Sequence, residues 1–220
     1  MYWLAYWPAS ASSAPLQAVG KLPKVVIIFI DDLGYGDLGC YGNTQASTPN
    51  IDRLASQGTR FTQFYANSPV CSPSRVAMLT GQYPAKLGVD SIFSTRETMQ
   101  ERGMPYFLPP ATSNIARRFK QAGYSTGHFG KWHIGGGRNV GEAPLPTVYG
   151  FDQSLVSFEG LGDRLLNWES DARVLHEQSL VLGKGKITFV EKHKKTGIYV
   201  DSALAFIKKY RQVLFHKPLA

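Results

Sequence analysis

Three short stretches of the 220-residue sequence carry the residue types that do chemistry. Asp31-Asp32 closes an unbroken apolar run from Val25 to Ile30. Adjacent carboxylates repel each other unless a cation or a basic group lies between them, so a hard divalent metal is a natural partner. A solvated acidic loop or a helix cap is the plain alternative. The second stretch is Cys71-Ser72-Pro73-Ser74-Arg75. With Ser72 as cap and Pro73 as first helical residue, Cys71 lies just outside a helix N-terminus, where unpaired N–H groups and the helix dipole favour an anion. Arg75, in the first turn, reaches the same anion with a forked donor set. A buried structural cysteine, or a bridge to Cys40, accounts for Cys71 without chemistry. The third stretch is Gly130-Lys131-Trp132-His133. In an extended chain Lys131 and His133 project to one face and Trp132 to the other, so a cation and an imidazole aim at one target. A solvated lysine and a packed histidine are the ordinary readings of these two residues. His128 has the opposite parity and reads as structural.

Two better-known signatures are excluded. A cysteine-dependent phosphatase places five residues between Cys and Arg, and here there are three, with Ala at position 77. A P-loop needs Ser or Thr after its lysine and a Gly six residues before it, where this chain has Trp132 and Ser125.

The elements around these stretches alternate. Val25–Ile30 is short, apolar and rich in β-branched residues, the pattern of a strand buried on both faces of a parallel sheet. Thr48-Pro49 starts a helix with Ile51, Leu54 and Ala55 on one face and Gly58 as a left-handed stop. Phe61 to Ala66 reads as a second strand, and a second helix follows from Ser72-Pro73 through Val76, Ala77 and Leu79. A third helix is expected from about Thr112 to Gly123, then an extended stretch near Ser125–His133. Gly135 to Asp171 is rich in Gly, Pro and turn residues and reads as long loops. Val200, Leu204 and Ile207 mark a final amphipathic helix ending near Tyr210. The class is α/β, with a mostly parallel sheet flanked by helices, and ligands in such sheets bind at the carboxyl ends of strands, where Asp31 sits.

With 43% hydrophobic and 18% charged residues, the chain can bury a core and is no disordered tail. Its formal charge of +8 is local. From Lys184 to Ala220 nine basic residues face two acidic ones, and the rest of the chain is nearly neutral. A solvated basic tract explains this, and no nucleic acid is expected as a partner. Two cysteines are too few for a disulfide scaffold, and no stretch is apolar enough for a membrane span. Residues 1–14, aromatic and then rich in Ala and Ser, look like the tail of a secretory leader that lacks the usual basic start.

Together the stretches resemble the type I sulfatases of the alkaline-phosphatase-like superfamily. The resemblance runs through Ile30-Asp31-Asp32-Leu33-Gly34-Tyr35-Gly36-Asp37-Leu38-Gly39, Thr48-Pro49-Asn50-Ile51-Asp52, Cys71 to Gly81, and Gly123-Tyr124 to Gly130-Lys131-Trp132-His133. It is well covered from about Lys24 to Phe151 and thin beyond. It implies sulfate ester hydrolysis. Cys71 would be oxidised by a formylglycine-generating or equivalent maturation enzyme to formylglycine. One hydroxyl of the hydrated aldehyde attacks sulfur, and the other, once deprotonated, expels sulfate. Asp31 and Asp32 correspond to calcium ligands, with the modified Cys71 also on the metal. Arg75 would stabilise the ionised diol, Lys131 would bind a sulfate oxygen, and His133 would take the proton in the elimination step. The expected substrate is a sulfated small molecule or glycan, and the expected compartment is secreted, periplasmic or lysosomal in type.

In the family the remaining calcium ligands are an Asp-Asn pair later in the chain, and no such pair occurs here. The expected organisation is therefore a leader-like or disordered segment, 1–20, and the N-terminal part of a sulfatase catalytic domain, 21–220, incomplete and inactive alone. A phosphoric or phosphonic ester hydrolase of the same superfamily and a non-catalytic sulfatase-like protein are the competing readings.

Overall fold

The computed structural model describes residues 23–135, 143–157, 177–183, 187, 190 and 192–213. The helices are α1 (Pro49–Gln57), α2 (Cys71–Thr80), α3 (Arg96–Glu101), α4 (Ile115–Gln121) and α5 (Lys195–Val213), and the strands are β1 (Gly127–Lys131) and β2 (Gln153–Ser157). The two strands pair in parallel, from Gly127 opposite Gln153 to Lys131 opposite Ser157. Parallel neighbours need a crossover. Here the connection between them includes the single helical turn Pro146–Tyr149.

The core lies around α2, whose residues Ser72, Pro73, Arg75, Val76, Ala77 and Leu79 are all buried. Val76 and Leu79 meet Val89, Phe93, Met99, Met104, Leu108, Trp132, Ile134 and Tyr149 in one apolar cluster. Each fully buried aliphatic side chain there stabilises by about 1.5–3 kcal/mol relative to exposure. α2 ends at Gly81, which takes the left-handed conformation and returns its N–H to the Ala77 carbonyl. α4 starts later than Thr112 because Asn114, buried, accepts from Arg117 N–H and serves as the cap. α3 is capped by Thr95, whose side chain accepts from Thr98 N–H.

Several expectations are corrected. Val25–Ile30 joins no ladder among the described residues, and its side chains are 40–74% exposed on both faces. Phe61–Ala66 forms no strand either. The apolar pattern alone does not make a strand: a strand needs neighbours, and the described residues supply none. Gly58 ends α1 in an extended conformation with φ −127°, so it is no left-handed stop. Thr48 does not cap α1 with its side chain; its hydroxyl accepts from Gly39 N–H at 2.8 Å and lies 3.0 Å from Asp52 Oδ1. α5 begins before Val200. Val200, Leu204 and Ile207 remain substantially exposed, while Phe206 packs on Phe129 of β1 with ring centroids 5.6 Å apart. The Gly135–Asp171 loops contain β2, and most of the remainder lies outside the described residues, as do residues 1–20 and much of the basic tract. No described helix is long and apolar enough to cross a membrane.

Candidate active site

The site is assembled on Arg75, whose position follows from α2. The helix starts at Cys71 with Val70 as its N-cap, two residues earlier than a Ser72 cap would give. The first α-helical bond confirms the start, Ser74 N–H donating to Val70 O at 3.0 Å. Ser72 does not cap because its hydroxyl is used elsewhere, accepting from Phe93 N–H at 3.2 Å. Pro73 sits in the first turn, where its missing N–H costs nothing. Cys71 is thus the first helical residue, partly exposed, with Arg75 one turn further along.

Arg75 is 5% exposed, and its two terminal nitrogens bind different segments. Nη2 pairs with Asp31 Oδ1 at 3.0 Å, and Nη1 donates to the Lys131 carbonyl at 2.7 Å. Its guanidinium also lies over the Phe29 ring, 5.4 Å from the centroid. Lys131 Nζ closes the triangle onto Asp31 Oδ2. Three segments up to 100 residues apart in sequence therefore meet in one cluster of two cations and one carboxylate. Burial pushes the Asp31 carboxyl up, but the hydrogen bonds from Lys131 and Arg75, with their charges, outweigh it and hold its pKa below the ordinary value. Of the two partners that adjacent carboxylates could take, Asp31 has taken the basic groups.

Asp32 turns away. It has φ 56°, is exposed, and follows the end of the 25–30 segment. His133 is the other non-glycine residue with positive φ, at 48°. A left-handed conformation is uncommon for a residue with a Cβ, and two occur at the two ends of one charge cluster. β1 ends at Lys131, so strand alternation does not itself assign a face to His133. Its ring is buried, and its Nδ1 has no hydrogen-bond partner. Burial, then the Lys131 charge, lowers its pKa to about 4. The second buried polar atom without a partner in the cluster is Arg75 Nε. His128 has the structural role its parity suggested. It stacks edge-on against Trp132 at 5.1 Å, its ring lies 3.3 Å from the Lys131 carbonyl, and burial lowers its pKa to about 4.

Cys40 and Cys71 are both free, so the bridge reading of Cys71 fails. Asp31 and Asp32 offer the hard oxygen donors that calcium prefers, a fit in type. In number they fall short of the roughly six to eight oxygens calcium takes, and no group of three or more metal-ligating side chains forms among the described residues. What sequence reasoning missed is the backbone. Phe93, whose N–H donates to the Ser72 hydroxyl, carries no signal in its side-chain type because its peptide group makes the contact.

The Sulfatase family model matches residues 23–215. Human arylsulfatase A is 44% identical over 138 residues, covering 63% of this chain and 26% of that protein. Mouse steryl-sulfatase is 42% identical over 159 residues, covering 69% of this chain and 24% of the relative. Among solved structures, that of Ps i-CgsB superposes with a TM-score of 0.61 at 30% identity, covering 82% of this chain and 40% of that one. The PsFucS1 sulfatase from Pseudoalteromonas sp. superposes with a TM-score of 0.54 at 26% identity, covering 82% and 39%. The chain spans about a quarter of the length of these curated relatives. By its family model, its sequence relatives and its alkaline-phosphatase-like α/β architecture, the chain belongs to the sulfatase family.

Proposed function

We propose that residues 21–220 form part of the catalytic domain of a sulfuric ester hydrolase, with Cys71, Arg75, Lys131 and His133 as its reacting and sulfate-binding residues. The observation that carries this reading is the convergence of α2, the end of β1 and Asp31 on Arg75, which puts the helix start bearing Cys71 beside two cations. A sulfate ester carries a negative charge that grows on its oxygens as the S–O bond breaks, and fixed donors at that point stabilise it. Lys131 would bind one sulfuryl oxygen, and Arg75 would hold Asp31 and Lys131 in register. His133, kept neutral at pH 7 by burial, has a ring nitrogen available to hold a proton.

Formylglycine at position 71, made by a maturation enzyme acting on Cys71, would supply as its hydrate the attacking hydroxyl and a second hydroxyl whose loss of a proton releases sulfate. Asp31 and Asp32, with residue 71, would contribute to a calcium site whose other ligands lie outside the described residues. The substrate would be a sulfated small molecule or glycan, and the leader-like composition of residues 1–14 supports an exported or lysosomal-type compartment.

The test is hydrolysis of 4-nitrophenyl sulfate against 4-nitrophenyl phosphate, with intact mass of the peptide carrying residue 71. The full-length enzyme bearing this sequence is expected to prefer the sulfate and to lose at least about 100-fold in kcat on Cys71→Ala. Unchanged turnover in Cys71→Ala, or preference for the phosphate, would sink the reading.

A further inference from the structure

We infer that His128 is a positioning residue for Lys131: its ring donates from Nε2 to the Lys131 carbonyl and, with Arg75, fixes the peptide group that aims the Lys131 side chain. Nε2 lies 3.3 Å from Lys131 O, and Arg75 Nη1 donates to the same oxygen at 2.7 Å. A carbonyl oxygen has two lone pairs and only accepts, so both bonds fit on it and Nε2 must carry the hydrogen. This assigns the neutral ring's tautomer, with hydrogen on Nε2 and none on Nδ1. Regular strand geometry does not produce the contact. Residues three apart in a strand stand about 10 Å apart and point to opposite faces. Gly130, between them, has φ 129°, and a Cβ there would meet nothing within 4 Å, so what glycine supplies is conformation and not space. With the chain turned at Gly130, the ring reaches the carbonyl three residues on.

The ring's direction is set by aromatic walls. Trp132 stands edge-on to it at 5.1 Å, and Phe151, just before β2, lies 5.4 Å away. The peptide it grips is held from its other end as well, since Trp132 N–H donates to Ser157 O at 3.3 Å. Arg75 and His128 on the oxygen and Ser157 on the N–H thus fix the orientation of the Lys131–Trp132 peptide, from which the Lys131 side chain sets out towards Asp31. That Lys131 binds sulfate rests on the sulfatase reading; the hydrogen bond from His128 does not.

The experiment compares His128→Phe and His128→Gln in the full-length enzyme. Phenylalanine keeps a ring against Trp132 and Phe151 but has no donor, whereas glutamine gives up the ring and keeps an N–H. KM for 4-nitrophenyl sulfate and inhibition by inorganic sulfate are measured, with urea midpoints at pH 7 to show that both variants are folded. His128→Phe should raise KM and the sulfate inhibition constant together by about three- to tenfold, the scale of one hydrogen bond, with a smaller change in kcat. His128→Gln should bring both back towards the parent. Parent-like values in His128→Phe, or His128→Gln no better than His128→Phe, overturn the assignment, because packing alone predicts that the variant with the ring fares best. Nitrogen NMR of the histidine-labelled parent reads the tautomer without turnover. Hydrogen on Nε2 of His128 is expected, and hydrogen on Nδ1 alone overturns the assignment whether or not sulfate esters are hydrolysed. A parent that turns over no sulfate ester would instead sink the sulfatase reading and leave the tautomer to decide the hydrogen bond.

Discussion

Replacing Asp31 by Asn would strip two cations of their shared counter-ion while leaving Arg75 buried. An uncompensated buried charge is costly, and the partial exposure of the Asp31 side chain, 31%, moderates it to about 1–3 kcal/mol. A lower urea midpoint for Asp31→Asn checks this, and an unchanged midpoint would show that solvent screens the cluster. The same residues set the response to acid. His128 and His133 each bind a proton in the unfolded chain near pH 6.5 and in the folded chain only near pH 4, so stability falls as pH is lowered through that window, and each histidine supplies part of that limb. Asp31 acts in the same sense at lower pH. Its folded pKa lies below the ordinary 3.8, so its contribution is intact above that value and is lost as pH falls through the folded one. His128→Phe should therefore flatten the limb between pH 6.5 and 4 by at most about 1.4 kcal/mol per pH unit, leaving the lower limb in place. Urea midpoints across pH 3 to 7 separate the two; an equally steep upper limb in the variant would remove His128 as its source.

At the scale of elements, the end of β1 is held by a close backbone approach. Gly135, with φ 131°, makes an antiparallel bridge to Phe107, and Leu108 N–H donates to Ile134 O at 3.2 Å. A Cβ at position 135 would lie 2.2 Å from Phe107 Cβ and 2.4 Å from its Cα, and backbone cannot yield as a side-chain tip can. Gly135→Ala should cost about 2–4 kcal/mol from strain and displacement. It should also loosen the segment between Lys131 and Ile134, visible as faster amide exchange at Trp132 and Ile134. Stability within a few tenths of a kcal/mol of the parent would refute the close approach.

Over the whole molecule, the described residues leave an unusual amount of apolar surface uncovered. Val25 to Ile30 are exposed on both faces, and Phe61, Phe64 and Tyr65 are more than half exposed. Six consecutive apolar, largely β-branched residues without a charge are also an aggregation hazard when unpaired. Ile28, 74% exposed and outside the apolar cluster around α2, is the residue to change. Ile28→Lys should at least halve the binding of an environment-sensitive apolar dye and lower light scattering at micromolar concentration, with little change in the urea midpoint. Dye binding equal to the parent's would show that this strip does not govern association.

The sequence by itself determined the chemical inventory and its order. A carboxylate pair after an apolar run, a Cys-x-Pro-x-Arg helix start and a Lys-x-His stretch could be named because side-chain type and local spacing carry that information. The α/β alternation was legible for the same reason, since helix periodicity and turn residues act within a few positions of each other. Tertiary structure decided the rest. It chose Arg75 and Lys131 as the partners of Asp31, ended β1 before His133 and gave His133 a positive φ, and moved the helix start to Cys71 by drawing the Ser72 hydroxyl to Phe93. Among the described residues it also withheld a ladder from Val25–Ile30. Each of these depends on groups far apart in the chain, and two run through backbone N–H and C=O groups that every residue type shares. Such contacts leave no mark on composition or spacing, because only folding brings the partners within hydrogen-bond distance.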